Sequence, residues 1–463
     1  MVVLRHTRAS SLARLFPADF PRPHLLSVAV YTLLGTLCLH CRNLAPSSLA
    51  FEPVFGHSMA SRVSESVFGS FSGSLADYQY AAASTDSELL NRPWTHHDPP
   101  GPAAFLGLLN RLGVPILGRS LNSSAVEDQF FVGAGASYDV TRALRSLGDQ
   151  HQGNSEVEQT ISKELQFKKF VTKRIKPLPP HVASDSVQLA AVTNEVRILA
   201  HETLKNVPQM VKLICVAWDE VPTMGRYWPR LLIEAADYGN LAEFIAAHED
   251  ARVWQVKLAL LIDVAGGVAM LHQHHVAHCD LKLENVLVFP AEPNHAPGMQ
   301  YQAKLCDFGF SVILSDYEPS STFSAVLGTE PWNAPELTFA KPIKTEQLLA
   351  ADAYSFALLL SRVMMHGGTP FEGLDQEDIR RLKQDAAMTE QVGASIFSRV
   401  EYSEPQKVLI RKILLGTLSL EPQHRFPVHL VKASLLLHSL AFRKQVTHPS
   451  ALSCILETLL TPR

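Results

Sequence analysis

The sequence is poor in cysteine and in net charge, and each shortage excludes a class of protein. Six cysteines in 463 residues do not reach the density of a disulfide framework, and Cys38 and Cys41 lack the second pair that would complete a zinc site. The formal net charge is only −4, with no basic stripe or tail. We therefore expect a reducing compartment and no nucleic acid among the partners.

Lysine is missing from the first part of the chain: none occurs before Lys163, although arginines are frequent there. Any catalytic lysine must lie at or after that position. The first 50 residues contain a single acid, Asp19, and surround the apolar run 25–39. A membrane-spanning helix needs about 20 residues. The run is therefore short, and a signal anchor, a mitochondrial presequence and a buried helix all remain consistent with it.

Composition predicts a flexible linker after this run. Residues 56–87 are rich in Ser, Ala and Gly, and a proline-rich turn follows at 98–102. Apolar residues then recur at helical spacing from Phe105 to Leu112. We expect a short helix there that packs against the domain that follows.

The densest group of reactive side chains is the stretch His278–Asn285, which lies between an apolar helical run and an apolar strand. In such a loop Asp280 could accept a proton from a hydroxyl, and Lys282 could stabilise a transferring phosphoryl group. Asn285 could hold a metal ion through its side-chain oxygen. Taken alone, the stretch could also be a polar turn around a satisfied histidine.

Two later motifs decide between these readings. Asp307-Phe308-Gly309 and Ala334-Pro335-Glu336 follow the loop in the order of the protein-kinase signature set. With these motifs the sequence resembles a eukaryotic-type protein kinase of the Ser/Thr type. Trp332, just before the second motif, is typical of fungal protein-kinase-domain proteins.

The resemblance implies a two-lobed α+β fold. The small lobe, at 125–236, would be an antiparallel sheet plus one helix, and the large lobe, at 237–445, would be mainly helical. Residues 1–124 would form an N-terminal extension with the apolar run and the linker, and residues 446–463 would form a tail. The polar stretch 148–158 would be a surface insertion between two strands.

The resemblance also implies an ATP site. Gly133 and Gly135 would cover the phosphates, although Tyr138 stands where the family has a third glycine. Lys173 is the candidate for the phosphate-binding lysine, because Phe170–Ile175 resembles the family's Val-Ala-Ile-Lys strand. Its competitor is Lys169.

The rest of the ATP site is assigned by position. Glu195 lies on the inward stripe of a predicted helix and would pair with Lys173. Ile233 would face the back of the nucleotide pocket, and the main chain of Glu234 and Ala236 would bind the purine edge. The resemblance places three more residues around the nucleotide: Val140 and Leu287 would contact it, and Thr172 would lie over the adenine ring.

For the chemistry, Asp307 and Asn285 would hold Mg²⁺, and Thr329 would contact Asp280 and Lys282. Cys279 replaces the arginine that precedes the catalytic aspartate in many kinases, so phosphate-dependent ordering of the loop after Asp307 is not expected.

Supporting roles complete the assignment. His278 would brace Phe308, Asp352 would cap the backbone of the catalytic loop, and Arg425 would pair with buried Glu336. Cys279 and Cys306 are interpreted as small buried side chains and not as nucleophiles.

The sequence thus predicts a protein serine/threonine kinase that uses ATP and Mg²⁺ and phosphorylates Ser or Thr of a protein substrate. The alternative is a catalytically weak pseudokinase that acts as a nucleotide-binding scaffold. Cytoplasmic location is favoured, since a signal peptide would carry the kinase away from cytosolic ATP. Membrane association through residues 25–39, or import into an organelle, is the less favoured alternative.

Overall fold

The computed structural model of the chain describes residues 102–120, 129–134, 138–143, 170–175, 185–221, 226–293, 295, 299–318, 321–324, 327–385 and 387–443. Several sequence predictions fall outside these residues, namely the apolar run 25–39, the linker 56–87, the insertion 148–158, the tail 446–463, Gly135 and Lys169.

One six-stranded sheet forms the small lobe. Its strands are β1 (Ile116–Ser120), β2 (Gln129–Ala134), β3 (Tyr138–Ala143), β4 (Phe170–Ile175), β5 (Leu213–Val221) and β6 (Arg226–Glu234). Their order in the sheet is β1-β5-β6-β4-β3-β2. Strands β2 to β6 pair antiparallel, as predicted. The edge strand β1 is an addition, because it pairs with β5 in parallel.

The two faces of this sheet belong to different clusters of apolar side chains. Phe170 and Leu232 pack in a small cluster on one face. Val171 and Ile233 belong to the main core on the other face. Successive side chains of a strand point to opposite faces. Lys173 therefore lies on the same face of β4 as Val171.

The predicted helix before the small lobe is confirmed as α1 (Pro102–Arg111). Its Phe105 ring meets the edge of Trp218 on β5, with ring centroids 6.0 Å apart. The carbonyl of Pro115 accepts a hydrogen bond from Val216 N at 2.9 Å. Residues before position 125 thus contribute both to the sheet and to the core of the small lobe.

The helix of the small lobe is α2 (Asp185–Leu199). Leu189, Val192 and Val196 are buried on one stripe, as their helical spacing predicts. Glu195 is only 1% exposed, so α2 carries a carboxylate into an apolar core.

Helices dominate the large lobe. They are α3 (Leu241–Ala247), α4 (Trp254–Gln273), α5 (Pro335–Thr338), α6 (Leu348–Met364), α7 (Gln376–Leu382), α8 (Met388–Arg399), α9 (Glu404–Thr417) and α10 (Val428–Arg443). The apolar helices α4 and α6 are buried at its centre. Of the described helices, α4 alone is long and apolar enough to span a membrane, and 67% of its apolar window is buried inside the protein. The predicted two-lobed α+β fold is confirmed.

Three short antiparallel pairs fix the loops of the large lobe. These are β7 (Val276–Ala277) with β10 (Val312–Ile313), β8 (Val286–Pro290) with β9 (Tyr301–Leu305), and β11 (Thr322–Phe323) with β12 (Ile343–Lys344). The stretch 278–285 connects β7 to β8, and the Asp307 motif connects β9 to β10. Because β7 pairs with β10 and β8 pairs with β9, the two loops lie next to each other.

Candidate active site

Strand β4 places Lys173 at the centre of the site. Lys173 Nζ lies 2.9 Å from Glu195 Oε1 and 2.7 Å from Oε2, and it is also 2.9 Å from Asp307 Oδ1. One ammonium group thus joins the sheet, helix α2 and the Asp307 loop. Thr172 precedes Lys173 and lies on the opposite face of the strand, so its predicted position over the adenine ring is wrong. Val171 occupies the face that was expected for it.

The two carboxylates around Lys173 have different protonation behaviour. Burial raises the pKa of Glu195, and the charge of Lys173 offsets only part of that rise. Burial also raises the pKa of Asp307, but the charge of Lys173 and its hydrogen bond outweigh this, so the pKa lies below its usual range. The Asp307 side chain is 34% exposed, and it is held ionised towards solvent.

The backbone register aligns the other predicted phosphate and nucleotide residues with Lys173. Val140 on β3 lies opposite Lys173 on β4. On its other side, Val140 lies opposite Gly133 on β2. The three residues therefore form a row across the sheet. Gly135, the second predicted loop glycine, lies outside the described residues.

Asp352 of α6 holds the catalytic loop in place, as expected. Its Oδ2 accepts a hydrogen bond from His278 N at 2.8 Å, and its Oδ1 accepts one from Cys279 N at 2.8 Å. His272 Nε2 lies 2.8 Å from the same carboxylate. These contacts stabilise Cys279 at φ +62°, a strained value for a residue with a side chain. The His278 ring lies against Phe308, with centroids 5.2 Å apart.

The three polar side chains of the loop meet at one point. Lys282 Nζ lies 2.8 Å from Asp280 Oδ2 and 2.6 Å from Thr329 Oγ1. Asn285 Nδ2 donates to Asp280 O and Oδ2, both at 2.8 Å. Asp280 Oδ1 is buried and has no hydrogen-bond partner among the described residues. This oxygen is free to accept a hydrogen bond. Thr329 reaches Lys282 directly, whereas its predicted contact with Asp280 runs through the lysine.

Gly328 explains how Thr329 comes so close to the loop that carries Lys282. Its φ of +78° is one that residues with side chains rarely adopt. A Cβ on Gly328 would also collide with the carbonyl oxygen of Cys279. Only glycine lets the two backbones approach at this point.

Two oxygens beside this point fit a hard cation. The Asn285 amide faces acceptor oxygens of Asp280, so its NH₂ points there and its Oδ1 points away. Neither Asn285 Oδ1 nor Asp307 Oδ2 has a hydrogen bond to any described residue. Amide and carboxylate oxygens suit Mg²⁺, which takes few protein ligands and keeps phosphate and water oxygens as the others. No group of three or more His, Cys, Asp or Glu side chains placed to hold a metal occurs among the described residues.

The predicted adenine-binding strand end is also ordered. Ile233 is buried on the cleft-facing side of β6. Glu234 N donates to Lys212 O at 3.1 Å. The main-chain N–H and C=O of Ala236 have no hydrogen-bond partner among the described residues, which leaves them available to a purine edge. Leu287 lies on β8 and bridges to Asn240, just beyond this segment.

Lys304 was not predicted, although it stabilises this region. It lies on the fully buried strand β9, and its Nζ contacts Glu234 Oε1 at 3.0 Å and Oε2 at 3.1 Å. A lysine inside an apolar strand three residues before Asp307 is the signal that could have revealed it, because a buried ammonium requires a partner.

Cys279 and Cys306 are both buried, as expected. Burial raises the pKa of each thiol, and the neighbouring carboxylates raise it further. A thiol with a raised pKa is a poor nucleophile. The geometry therefore favours their interpretation as packing residues.

Comparison with known proteins gives a consistent picture. A family model described as protein kinase domain matches residues 148–436. The probable serine/threonine-protein kinase roco11 of Dictyostelium discoideum is 30% identical over 163 residues, which are 34% of this chain and 10% of that protein. The receptor-like cytosolic serine/threonine-protein kinase RBK1 of Arabidopsis thaliana is 26% identical over 196 residues, 42% of this chain and 37% of that protein.

Not every relative is named for a kinase. Retinal guanylyl cyclase 2 of Homo sapiens is 31% identical over 160 residues, 33% of this chain and 13% of that protein. The chain thus spans between 10% and 37% of the length of these relatives.

Proposed function

Since the chain belongs to the protein kinase family, we propose that it is an active serine/threonine kinase. It transfers the γ-phosphate of ATP to Ser or Thr hydroxyls of a protein substrate. The observation that carries this proposal is the position of Lys173 Nζ within 2.9 Å of both Glu195 and Asp307. That contact joins the two lobes around the place where the phosphates of ATP would bind.

Each side chain of the site has a role in the transfer. Lys173, held by Glu195, binds the α- and β-phosphates. Asp280 orients the acceptor hydroxyl and accepts its proton as the oxygen attacks the γ-phosphorus and the bond to ADP breaks. Lys282 offsets the negative charge of the transferring group. Positioning and electrostatic stabilisation supply most of the acceleration.

Asp307 and Asn285 would hold Mg²⁺ through the two oxygens that have no other partner. When bound, the ion neutralises charge on the phosphate oxygens. The adenine would bind the main chain of Glu234 and Ala236 in front of Ile233, with Val140 and Leu287 against its faces, and Gly133 and Gly135 would cover the phosphates.

Specificity for Ser or Thr is supported by Lys282 and by the segment that follows Gly328. Lys282 lies 2.6 Å from Thr329, so the catalytic loop and this segment form one surface. Two of the relatives described above are named serine/threonine-protein kinases.

The test is Mg²⁺-dependent transfer of phosphate from ATP to the chain itself and to several proteins, acidic and basic. Lys173→Met is expected to abolish transfer, because it removes the ammonium group that binds the α- and β-phosphates. Lys205→Met is the matched control, since Lys205 is exposed and is not one of the residues assigned to the site. Phosphoamino-acid analysis of the product should give phosphoserine or phosphothreonine. Equal transfer by wild type and Lys173→Met would contradict the proposal.

The second candidate is a nucleotide-binding scaffold. It is motivated by Tyr138 in place of a loop glycine and by Cys279 before Asp280. ATP binding by the wild type with no transfer to any acceptor would favour it.

For location we propose the cytoplasm. One relative is named a cytosolic kinase. Membrane association through residues 25–39 is the alternative, and fractionation of the full-length protein without detergent separates the two: recovery in the membrane pellet would contradict the cytoplasmic proposal.

A further inference from the structure

An ion pair connects helix α2 to the segment that follows the Asp307 motif. In the last turn of α2, Arg197 Nη1 lies 2.6 Å from Asp316 Oδ2 and Nη2 lies 2.7 Å from Oδ1. The Asp316 side chain is 7% exposed and that of Arg197 is 20% exposed. A two-pronged, shielded pair of this kind is stronger and more directional than an ordinary surface ion pair.

The pair acts on the same helix as Glu195, which holds Lys173. Glu195 and Arg197 are two residues apart, and side chains with this spacing point to different sides of a helix. Lys173 therefore holds one side of α2 and Asp316 holds another. The Asn194 side chain adds a hydrogen bond to the carbonyl of Ser311. Contacts from three residues of the last turns, Asn194, Glu195 and Arg197, thus fix the rotation of α2.

The segment that carries Asp316 is itself held by protein contacts. Leu314 N donates to the carbonyl of His275 at 2.8 Å. Tyr317 packs on Phe323, with centroids 5.9 Å apart, and Phe323 belongs to the β11–β12 pair. In the catalytic loop, the residue before Asp280 is the uncharged and buried Cys279, so it offers no positive charge to this segment. Asp316 therefore supplies negative charge to α2 from a segment that is held by its own backbone and aromatic contacts.

We propose that Arg197 and Asp316 are positioning residues that keep Glu195 on Lys173, so that the site assembles without phosphorylation of the segment 308–324. The carboxylate of Asp316 acts as a built-in anion. The effect on catalysis rests on the proposed kinase activity, whereas the effect on the Lys173–Glu195 contact does not.

The first test measures this contact without catalysis. Lys173 is buried by its ion pairs, so its rate of acylation by an amine-reactive ester reports whether Glu195 stays in place. Mass spectrometry of the peptides gives the rate, with exposed Lys205 as the internal reference. Asp316→Arg is expected to speed the labelling of Lys173 by about fivefold or more, the range of typical coupling between sites.

Two further variants separate positioning from general damage. Arg197→Asp combined with Asp316→Arg exchanges the charges and should return the labelling rate to within about twofold of wild type. Glu318→Arg makes the same charge change on an exposed residue of the same segment and should leave the rate unchanged. Labelling of the single variants at the wild-type rate, or no rescue in the folded double variant, would overturn the inference.

The second test uses phosphate transfer. The single variants should raise the KM for ATP and lower kcat, and the exchanged double variant should recover both. Wild type treated with a phosphatase should keep its labelling rate and its initial transfer rate, and a loss of either would refute independence from phosphorylation. If wild type transfers nothing while the labelling pattern holds, the kinase proposal fails and the positioning inference stands.

Discussion

Lys383 is a buried ammonium group whose hydrogen-bond partners are all uncharged. Its Nζ lies 2.7 Å from Asn333 O, 2.8 Å from Asn333 Oδ1 and 2.9 Å from Thr338 Oγ1. It ties the end of α7 to the segment between Thr329 and α5. Burial lowers the pKa of Lys383 from 10.5 to about 7, although the more distant carboxylates of Glu330 and Glu336 act against this.

This shift predicts a pH dependence of stability. Between pH 7 and 10.5 the unfolded chain holds a proton on Lys383 that the folded chain has released, so this group makes the free energy of unfolding increase with pH. The slope approaches about 1.4 kcal/mol per pH unit for one proton. Urea unfolding at pH 7.0, 7.75 and 8.5 should show a steeper rise for wild type than for Lys383→Met. Lys205→Met is the control and should parallel wild type; parallel curves for Lys383→Met would contradict the prediction.

Glu336 and Arg425 provide the matching case of a buried charge with a charged partner. Arg425 Nη1 lies 2.6 Å from Glu336 Oε1, and Nη2 lies 2.8 Å from Oε2, as the sequence predicts. The guanidinium also packs over the ring of Tyr354 at 5.0 Å. Through this pair, the end of the segment that carries Thr329 is attached to the helices of the large lobe.

Removing one partner of this pair should be far worse than removing both. Arg425→Met leaves the Glu336 carboxylate buried and unpaired, and a loss of about 3–5 kcal/mol in the free energy of unfolding is expected. Arg425→Met with Glu336→Gln should recover a large part of that loss. Urea denaturation measures both. A single variant that costs less than about 1 kcal/mol, the value of an exposed pair, would show that water reaches this pair.

At the scale of elements, helix α2 was predictable because its apolar residues recur at helical spacing and one stripe is buried. Helix α4 was predictable because apolar residues continue over most of its length, as in a helix buried at the centre of a lobe. Strand β1 was not, since Ile-Leu-Gly-Arg-Ser has no alternation and pairs with β5 from far along the chain. The Thr172 prediction failed because strand side chains alternate, and an error of one position moves a side chain to the other face.

The site was predictable where several reactive residues fall in one loop, as from Asp280 to Asn285. Long-range pairs leave no such signal: Arg197 and Asp316 are 119 residues apart, and nothing around either residue indicates the other. Lys304 is a different case: a lone lysine in an apolar strand indicates a buried partner, but the sequence does not identify Glu234 as that partner.

The addition of α1 and β1 to the sheet predicts where the small lobe begins. A chain that starts at residue 101 keeps Phe105 against Trp218 and keeps the hydrogen bond to Val216. A chain that starts at residue 125 loses both and exposes the apolar surface around Trp218. Losing a buried Phe typically costs about 3–5 kcal/mol. Both chains contain the family match at 148–436. Only the chain from residue 101 should be fully stable, because it alone keeps the contacts of α1 and β1.

Thermal unfolding of the two truncated chains checks this prediction, with the full-length protein as the control. The chain from residue 101 should unfold at nearly the same temperature as the full-length protein. The chain from residue 125 should unfold at a lower temperature and bind more of a hydrophobic dye. Equal unfolding temperatures would show that α1 and β1 are peripheral and that the lobe is complete from residue 125.

At the scale of the whole molecule, both lobes contribute to one polar centre. Lys173 and Glu195 come from the small lobe, and Asp280, Asn285 and Asp307 come from the large one. Burying so many charged groups costs folding free energy, and the proposed phosphoryl transfer would account for their presence together. The proposed roles divide clearly: Lys173 would act on ATP, whereas Asp280 would act on the acceptor hydroxyl.

That division makes Asp280→Asn the most direct test of the proposed activity. ATP binding in the presence of Mg²⁺ and phosphate transfer should be measured on the same preparation of the variant and of wild type. We expect ATP binding within about twofold of wild type and a loss of transfer of about 100-fold or more, the usual contribution of a general base. Transfer by the variant at the wild-type rate would contradict the assignment of Asp280, and absence of transfer from both proteins despite tight ATP binding would contradict the proposed kinase activity.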